Sequence, residues 1–188
     1  MRKSLITLIT LIAVFSLTYY AFAGDCTDRD PIGSRCGGGI KFASGLIAIE
    51  GGANGNQTKE PECSGRDNGF LKMEWGGYYI DSSADSRTNG AANTEQLAKE
   101  GGHPAAEYCA KLVKDGYSDW YLPSMEELYT LSYYHSKVGG FMTDGYWSST
   151  EADDEKAWVQ NFGAGNTYTY NKYGTRYVRC IRCYSKRR

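Results

Sequence analysis

The sequence predicts a single α+β domain, on three observations. An early apolar run, Gly45-Leu46-Ile47-Ala48-Ile49, has the length and composition of a buried strand. Mid-chain stretches carry helical spacing with their own start and stop signals. From Tyr146 onward the period of the apolar positions changes to two. A strand, then helices, then consecutive strands is the order of a segregated α+β fold rather than of alternating βαβ units. The sequence shows no internal repeat and no heptads.

The N-terminus predicts export. Arg2 and Lys3 precede an apolar run from Leu5 to Leu17, and Ala21-Phe22-Ala23 reads as a small-x-small cleavage site, so residues 1–23 are expected to be a signal peptide. The run is short for a membrane span of about 20 residues, and no second one follows, so no span is expected after its removal. Cys26 lacks the preceding small-residue context of a lipid-modified cysteine. The domain is then 24–188, which leaves 165 residues, enough for one core. Removing Arg2 and Lys3 takes the formal charge from -1 to -3. That balance argues against nucleic-acid binding, which needs a basic footprint. All six cysteines lie in the exported part, and an even count there favours disulfides over thiols or zinc.

The elements follow in order. Residues 24–67 are rich in glycine and turn residues, residues 51–69 read as a loop stapled by Cys63, and residues 81–92 as a polar loop. Asn93 or Thr94 is placed to cap a short helical stretch, Glu95–Glu100, that Gly101-Gly102 ends. Pro104 suits a helix N1 position, and "PAAEYCAKLVKDG" predicts a helix stopped by Gly116, with Ala105, Cys109, Leu112 and Val113 on one stripe. Ser124 and Glu127 form a capping box ahead of a second helix that turns Leu128 and Leu131 inward. Trp158, Gln160 and Phe162 then alternate with Ala157, Val159 and Asn161. Turns at 163–166 and 171–174 separate a strand Thr167–Tyr170 from a final strand Thr175–Arg182. The expectation is two main helices packed on an antiparallel sheet that ends in a three-strand meander. Trp120, Leu122, Trp147 and Trp158 are expected in the core.

Chemistry is sparse. His103 and His135 are the histidines, and no spacing links either to Ser148 or Ser149 as a nucleophile. No enzyme is expected. Glu151, Asp153, Asp154 and Glu155 cluster in one loop, and carboxylates are what calcium takes. The D-x-D-x-D-G spacing is absent, so the loop reads as solvated, with calcium the lesser alternative and no other metal or cofactor assigned. Cys180-Ile181-Arg182-Cys183 imitates a redox or zinc CxxC. It lies in a predicted strand, where residues three apart face opposite ways, so its two cysteines belong to different bridges.

Several fragments in order, "GGGIKFASGLIAIEGG", "AAEYCAKLV", "GYSDWYLPSMEELYTL", "GYWSSTEADDEKAWVQNF" and "YVRCIR", resemble the Lcl C-terminal-domain family from about residue 37 to 182. The resemblance implies a C-type-lectin-like fold, related to that of the formylglycine-generating enzyme. It also implies an exported, often surface-displayed domain whose best-understood member is an adhesin for sulfated polysaccharides. It further implies the helix-to-strand bridge of such folds, here Cys109–Cys180, which would close a loop of ~72 residues and contribute roughly 4–5 kcal/mol. The pairing of the other four cysteines stays open; Cys26–Cys36 with Cys63–Cys183 is the pairing expected. This sequence carries no collagen-like Gly-x-y region.

The strand Thr167–Tyr170 places Tyr168 and Tyr170 on one face and threonines on the other, with no aliphatic residue on either. Tyr, Asn, Ser and Gly are the mixture of a paratope, and Lys172 and Arg176 offer charge for a sulfate or carboxylate. The bland alternative is a solvated hairpin that uses tyrosine for strand propensity. Tyr168, Tyr170, Lys172, Tyr173 and Arg176 are therefore the candidate ligand-binding residues, facing outward while Val178 and Cys180 hold the core. The function expected is adhesin-like recognition of a glycan, sulfated or acidic, or of a cell-surface partner, by a secreted, surface-held or periplasmic protein. The alternative is a structural or assembly subunit of an envelope or pilus-like appendage.

Overall fold

Leu46–Ile49 is a strand, as its apolar run predicts, and its neighbours in space come from both ends of the domain. The computed structural model describes residues 26–27, 29–36, 38–49 and 71–184. The expected leader and Cys63 lie outside them. Strands β1 (Arg35–Cys36), β2 (Gly39–Ala43), β3 (Leu46–Ile49) and β4 (Lys72–Glu74) come first, followed by helices α1 (Gly90–Glu100), α2 (Pro104–Lys111), α3 (Met125–Tyr133) and α4 (His135–Val138). Strands β5 (Gly145–Glu151), β6 (Lys156–Asn161), β7 (Thr167–Asn171), β8 (Thr175–Tyr177) and β9 (Ile181–Cys183) complete the order. They form a four-stranded sheet, β1-β2-β3-β9, and a five-stranded sheet, β4-β8-β5-β6-β7. The class is α+β, with four helices and two sheets among the described residues.

The helices start and stop where side chains reach backbone groups. Ser124 and Glu127 close the predicted capping box of α3. α1 begins earlier than expected, because Asn89 accepts from the Ala92 amide and caps it. Asn93 and Thr94 instead turn inward: Thr94 Oγ1 donates to the Leu122 carbonyl at 3.1 Å and accepts from its amide at 3.0 Å. α2 stops at Lys111, where Leu112 is extended, so the expected stripe breaks and Val113 is exposed.

The expected meander is only partly formed. β6 and β7 pair antiparallel, with Val159 opposite Tyr168 and Ala157 opposite Tyr170. β8 does not return along β7; it pairs antiparallel with β4 and parallel with β5. The strand expected over 175–182 is thus two strands in two sheets. The break follows the pairing partners: Tyr177 pairs with Lys72 and Tyr146 in the five-stranded sheet, while Ile181 pairs with Ala48 in the four-stranded one.

That first cluster gathers Trp75, Leu97, Cys109, Trp120, Leu122 and Trp147; the second gathers Phe42, Leu128, Leu131, Tyr146, Phe162 and Ile181. β5 is buried on both faces, since Trp147 feeds one cluster and Tyr146 the other. Trp158 departs from the expectation. The two-residue period that buries Ala157 and Val159 turns it to the opposite face, where it is half-buried with the Arg87 guanidinium 5.1 Å from its ring.

Two disulfides are formed, Cys109–Cys180 between α2 and the segment before β9, and Cys26–Cys36 near the N-terminal sheet. Cys183 is exposed and has no bridge partner among the described residues. Arg182 forks onto Asp119, with Nε and Nη2 donating at 2.7 and 2.9 Å, which ties β9 to the segment leading into α3. No helix among the described residues is long and apolar enough to cross a membrane.

Candidate functional site

Gly76 and Gly77 open a loop that only glycine permits. Their φ angles are +86° and +61°, and a Cβ would come within 2.0 Å of the Gly102 carbonyl oxygen and 2.2 Å of the His103 ring respectively. Tyr79 and Ser83 follow with φ of 64° and 55°, a left-handed conformation that costs energy in residues with a side chain and persists where the surroundings impose it.

What imposes it here is Lys172. Its side chain is fully buried, and Nζ donates to the Ile80 carbonyl at 2.7 Å, to the Gly77 carbonyl at 3.4 Å and to the Glu151 carboxylate. The Trp75 ring lies 4.9 Å from the ammonium. Glu151 in turn accepts from the Ser82 amide and hydroxyl, at 2.9 and 2.8 Å. A buried ion pair is tolerable only when its remaining donors and acceptors are satisfied in this way. The main chain adds to the clamp: the Trp75 and Gly76 amides donate to the Lys172 carbonyl, the Lys172 amide to Glu155, and the Tyr79 amide to Asp154. Three loops, around residues 76–83, 152–155 and 171–174, are knitted into one end of the domain.

On the outer side of this clamp stand three tyrosines. Tyr78 packs against Tyr79 with ring centroids 4.0 Å apart and meets Tyr173 edge-on at 4.9 Å. Tyr79 and Tyr173 are 66% and 56% exposed, and Ile80 beside them is exposed too. Asn171 Nδ2 donates to the Tyr173 hydroxyl at 3.0 Å, and the Tyr78 and Tyr79 hydroxyls are 3.3 Å apart. That hydroxyl contact, with the nearby Glu155 carboxylate adding to it, pushes the Tyr78 phenol well above its ordinary range. Flat apolar faces with anchored hydroxyls suit the C–H face and hydroxyl rim of a sugar ring.

The five residues expected to form one outward face divide. Tyr173 joins the exposed cluster. Lys172 is corrected: it points into the domain and neutralises Glu151, because the loop carbonyls and Glu151 offer it partners that solvent does not outbid once the site is sealed. Tyr168, Tyr170 and Arg176 are half-buried and engage one another. Arg176 Nε donates to the Tyr168 hydroxyl at 3.3 Å, and its guanidinium lies 3.4 Å from the Tyr170 ring centroid. Gly145 leaves the room, since a Cβ there would fall 2.5 Å from the Tyr168 hydroxyl. These two tyrosines pack against the first core cluster, so the face that shows no aliphatic residue is covered by aromatic ones.

In the acidic loop, Glu151 is committed to Lys172, and Asp153 accepts from the Glu155 and Lys156 amides at 2.9 and 2.7 Å. Among the described residues no three His, Cys, Asp or Glu side chains converge as a metal site would need. His103 is buried against Trp75, with ring centroids 5.1 Å apart; among the described residues neither ring nitrogen has a hydrogen-bond partner, the Glu100 carboxylate lies 3.6 Å from Nε2, and burial lowers its pKa. Ser148 Oγ donates to the Trp158 carbonyl, and Ser149 is buried beside Asn93. Sequence reasoning missed Tyr78 and Tyr79. The available signal was a Tyr-Tyr pair set between Gly76-Gly77 and Asp81 after a tryptophan.

A family model described as the Lcl C-terminal domain matches residues 65–182. No curated protein matches the chain.

Proposed function

The chain belongs to the Lcl C-terminal domain family, and from that premise we propose that it is an exported, non-enzymatic binding module that recognises a glycan, in the manner of an adhesin, through Tyr78, Tyr79 and Tyr173. The observation that carries the reading is the pairing of exposed rings with a buried clamp. Tyr79 and Tyr173 stand open to solvent while Lys172 and Glu151 fix the loops beneath them. A surface without a ligand gains nothing from rings held in a strained backbone, whereas a pre-organised aromatic platform loses little entropy on binding. Export is supported by the two disulfides, which persist in oxidising compartments. A non-catalytic reading is supported by His103, which is sealed in the core with no hydroxyl among the described residues hydrogen-bonded to it.

The sulfated or acidic ligand expected earlier loses one of the two basic residues that suggested it, since Lys172 is internal, while Arg176 lies on Tyr170. A second reading, an assembly subunit, is favoured by one observation: β7 is the edge of its sheet and pairs only with β6 among the described strands. An open edge can accept a strand from another protein. A glycan array probed with and without calcium, alongside pulldown from envelope fractions, separates the two. Binding to defined glycans supports the module; stable capture of one envelope protein with no glycan bound supports the subunit and overturns the first reading.

A further inference from the structure

We propose that β7 is the seam of a homodimer: the β7 strands of two copies pair antiparallel about a two-fold axis at Thr169, joining the two five-stranded sheets into one. The seam goes beyond both functional readings above and does not depend on whether the tyrosine platform binds a glycan.

The ladder decides which groups are left to pair. β6 and β7 run in unbroken register over five residue pairs, from Lys156 opposite Asn171 to Gln160 opposite Thr167. Just outside that span, the Lys172 amide donates to the Glu155 carbonyl and the Asn161 amide to the Asn166 carbonyl. Alternate residues of an antiparallel strand bond to the same neighbour. Tyr168 and Tyr170 therefore bond to β6, and the main-chain groups of Thr167, Thr169 and Asn171 point the other way. The Asn171 carbonyl accepts from the Gly174 amide in the following turn; outside the ladder, no backbone bond among the described residues reaches Thr167 or Thr169.

The edge is also undefended. Natural sheets block such strands with lysine, proline or a bulge. Thr167–Asn171 reads Thr-Tyr-Thr-Tyr-Asn, with no charge and no proline, and its ladder has no register shift. β4, the opposite edge of the same sheet, is three residues long and carries Lys72 and Glu74.

The occupant is a second copy because the strand complements itself. With Thr169 on the axis, Thr169 meets its own counterpart, and Thr167 meets Asn171 on either side. Such polar pairs hydrogen-bond across strands, and no like charges are opposed. The Asp153-Asp154-Glu155 loop lies beside the Asn171 end of β7, where the Lys172 amide bonds Glu155. The antiparallel arrangement turns that end toward the other copy's Gly163-Ala164-Gly165-Asn166 turn, which carries no charge. A two-fold contact of this kind closes on itself. Tyr173 lies two residues beyond Asn171, whose Nδ2 donates to its hydroxyl at 3.0 Å. The dimer thus carries one tyrosine platform at each end of the seam.

The test is sedimentation velocity of the purified, oxidised protein from about 1 μM to 1 mM, the range in which a small interface associates. Wild type, Thr169→Lys and Thr169→Glu are compared, each with a thermal melt to show that it is folded. The wild type should pass from monomer to dimer as concentration rises. Either variant alone sets like charges opposite one another at the axis and should weaken association roughly fivefold or more. An equimolar mixture of the two variants should dimerise at least as tightly as the wild type, because opposite charges then meet at the axis. A wild type that stays monomeric throughout overturns the seam. So does a dimer that Thr169→Lys leaves intact, which places the contact on another face, or a mixture no tighter than the single variants.

Discussion

The Lys172 ammonium and the Glu151 carboxylate meet inside the domain, and the carbonyls of Ile80 and Gly77 close around the same ammonium. One buried charge therefore decides the shape of the loop that presents Tyr78 and Tyr79. Removing either partner leaves the other charged, buried and unpaired, which costs about 3–5 kcal/mol. Lys172→Ala and Glu151→Ala should each lower the urea unfolding free energy by roughly that amount. A cost near zero for Lys172→Ala would mean that the side chain is exposed in solution.

Trp147 and Trp158 sit on the same hairpin and should differ sharply. Trp147→Ala empties a fully buried position in the first core cluster and should cost roughly 3–5 kcal/mol. Trp158→Ala removes a half-buried ring stacked under Arg87 and should cost distinctly less. Equal losses in chemical denaturation would return Trp158 to the core.

His103 gives the stability a pH dependence with a definite sign. Burial lowers its folded pKa below the ordinary value of 6.5, so the unfolded chain takes up a proton first. The contribution is fully present above 6.5 and is lost as pH falls from there toward the depressed folded value. Asp144, held low chiefly by the Gly145 amide and then by Lys72, loses its contribution at more acid pH by the same logic. Urea midpoints should therefore drop as pH is lowered from neutrality into the range below 6.5, and His103→Phe should flatten that first drop. A midpoint that rises on mild acidification would contradict the buried neutral imidazole.

Non-reducing peptide mapping should find Cys109 joined to Cys180 and Cys26 to Cys36. The first bridge closes about 71 residues between α2 and the last strands, and its loss should cost roughly 4–5 kcal/mol on chain entropy. A Cys180–Cys183 link would break the local backbone described for β9.

Legibility in the sequence tracked the range of the interactions involved. The capping box at Ser124 and Glu127, the Pro104 start and the strand at 46–49 are local, and each was readable from a few adjacent residues. The cores around Trp120, Leu122 and Trp147 followed from side-chain size. The path of β8 did not, because its partners, Lys72–Glu74 and Tyr146, lie far from it in sequence and only tertiary packing brings them together. Lys172 was misplaced for a related reason: next to Tyr173 in a polar turn it reads as solvated, and its partners Glu151 and Ile80 lie 21 and 92 residues away. Tyr78 and Tyr79 were hidden in a loop whose conformation is set by that same distant lysine.

The central claim is that the exposed tyrosines bind and do not support the fold. It is tested most directly by titrating the glycan selected on an array against the wild type and a Tyr79→Ser/Tyr173→Ser double variant, with thermal melts of both. Exposed substitutions shift stability by only about ±0.5 kcal/mol each, so the melting temperature should hold while affinity falls at least roughly tenfold through lost aromatic contact. Undiminished affinity in the double variant, with loss appearing instead in Tyr168→Ser or Arg176→Ala, would contradict the account and move the site to β7 and β8.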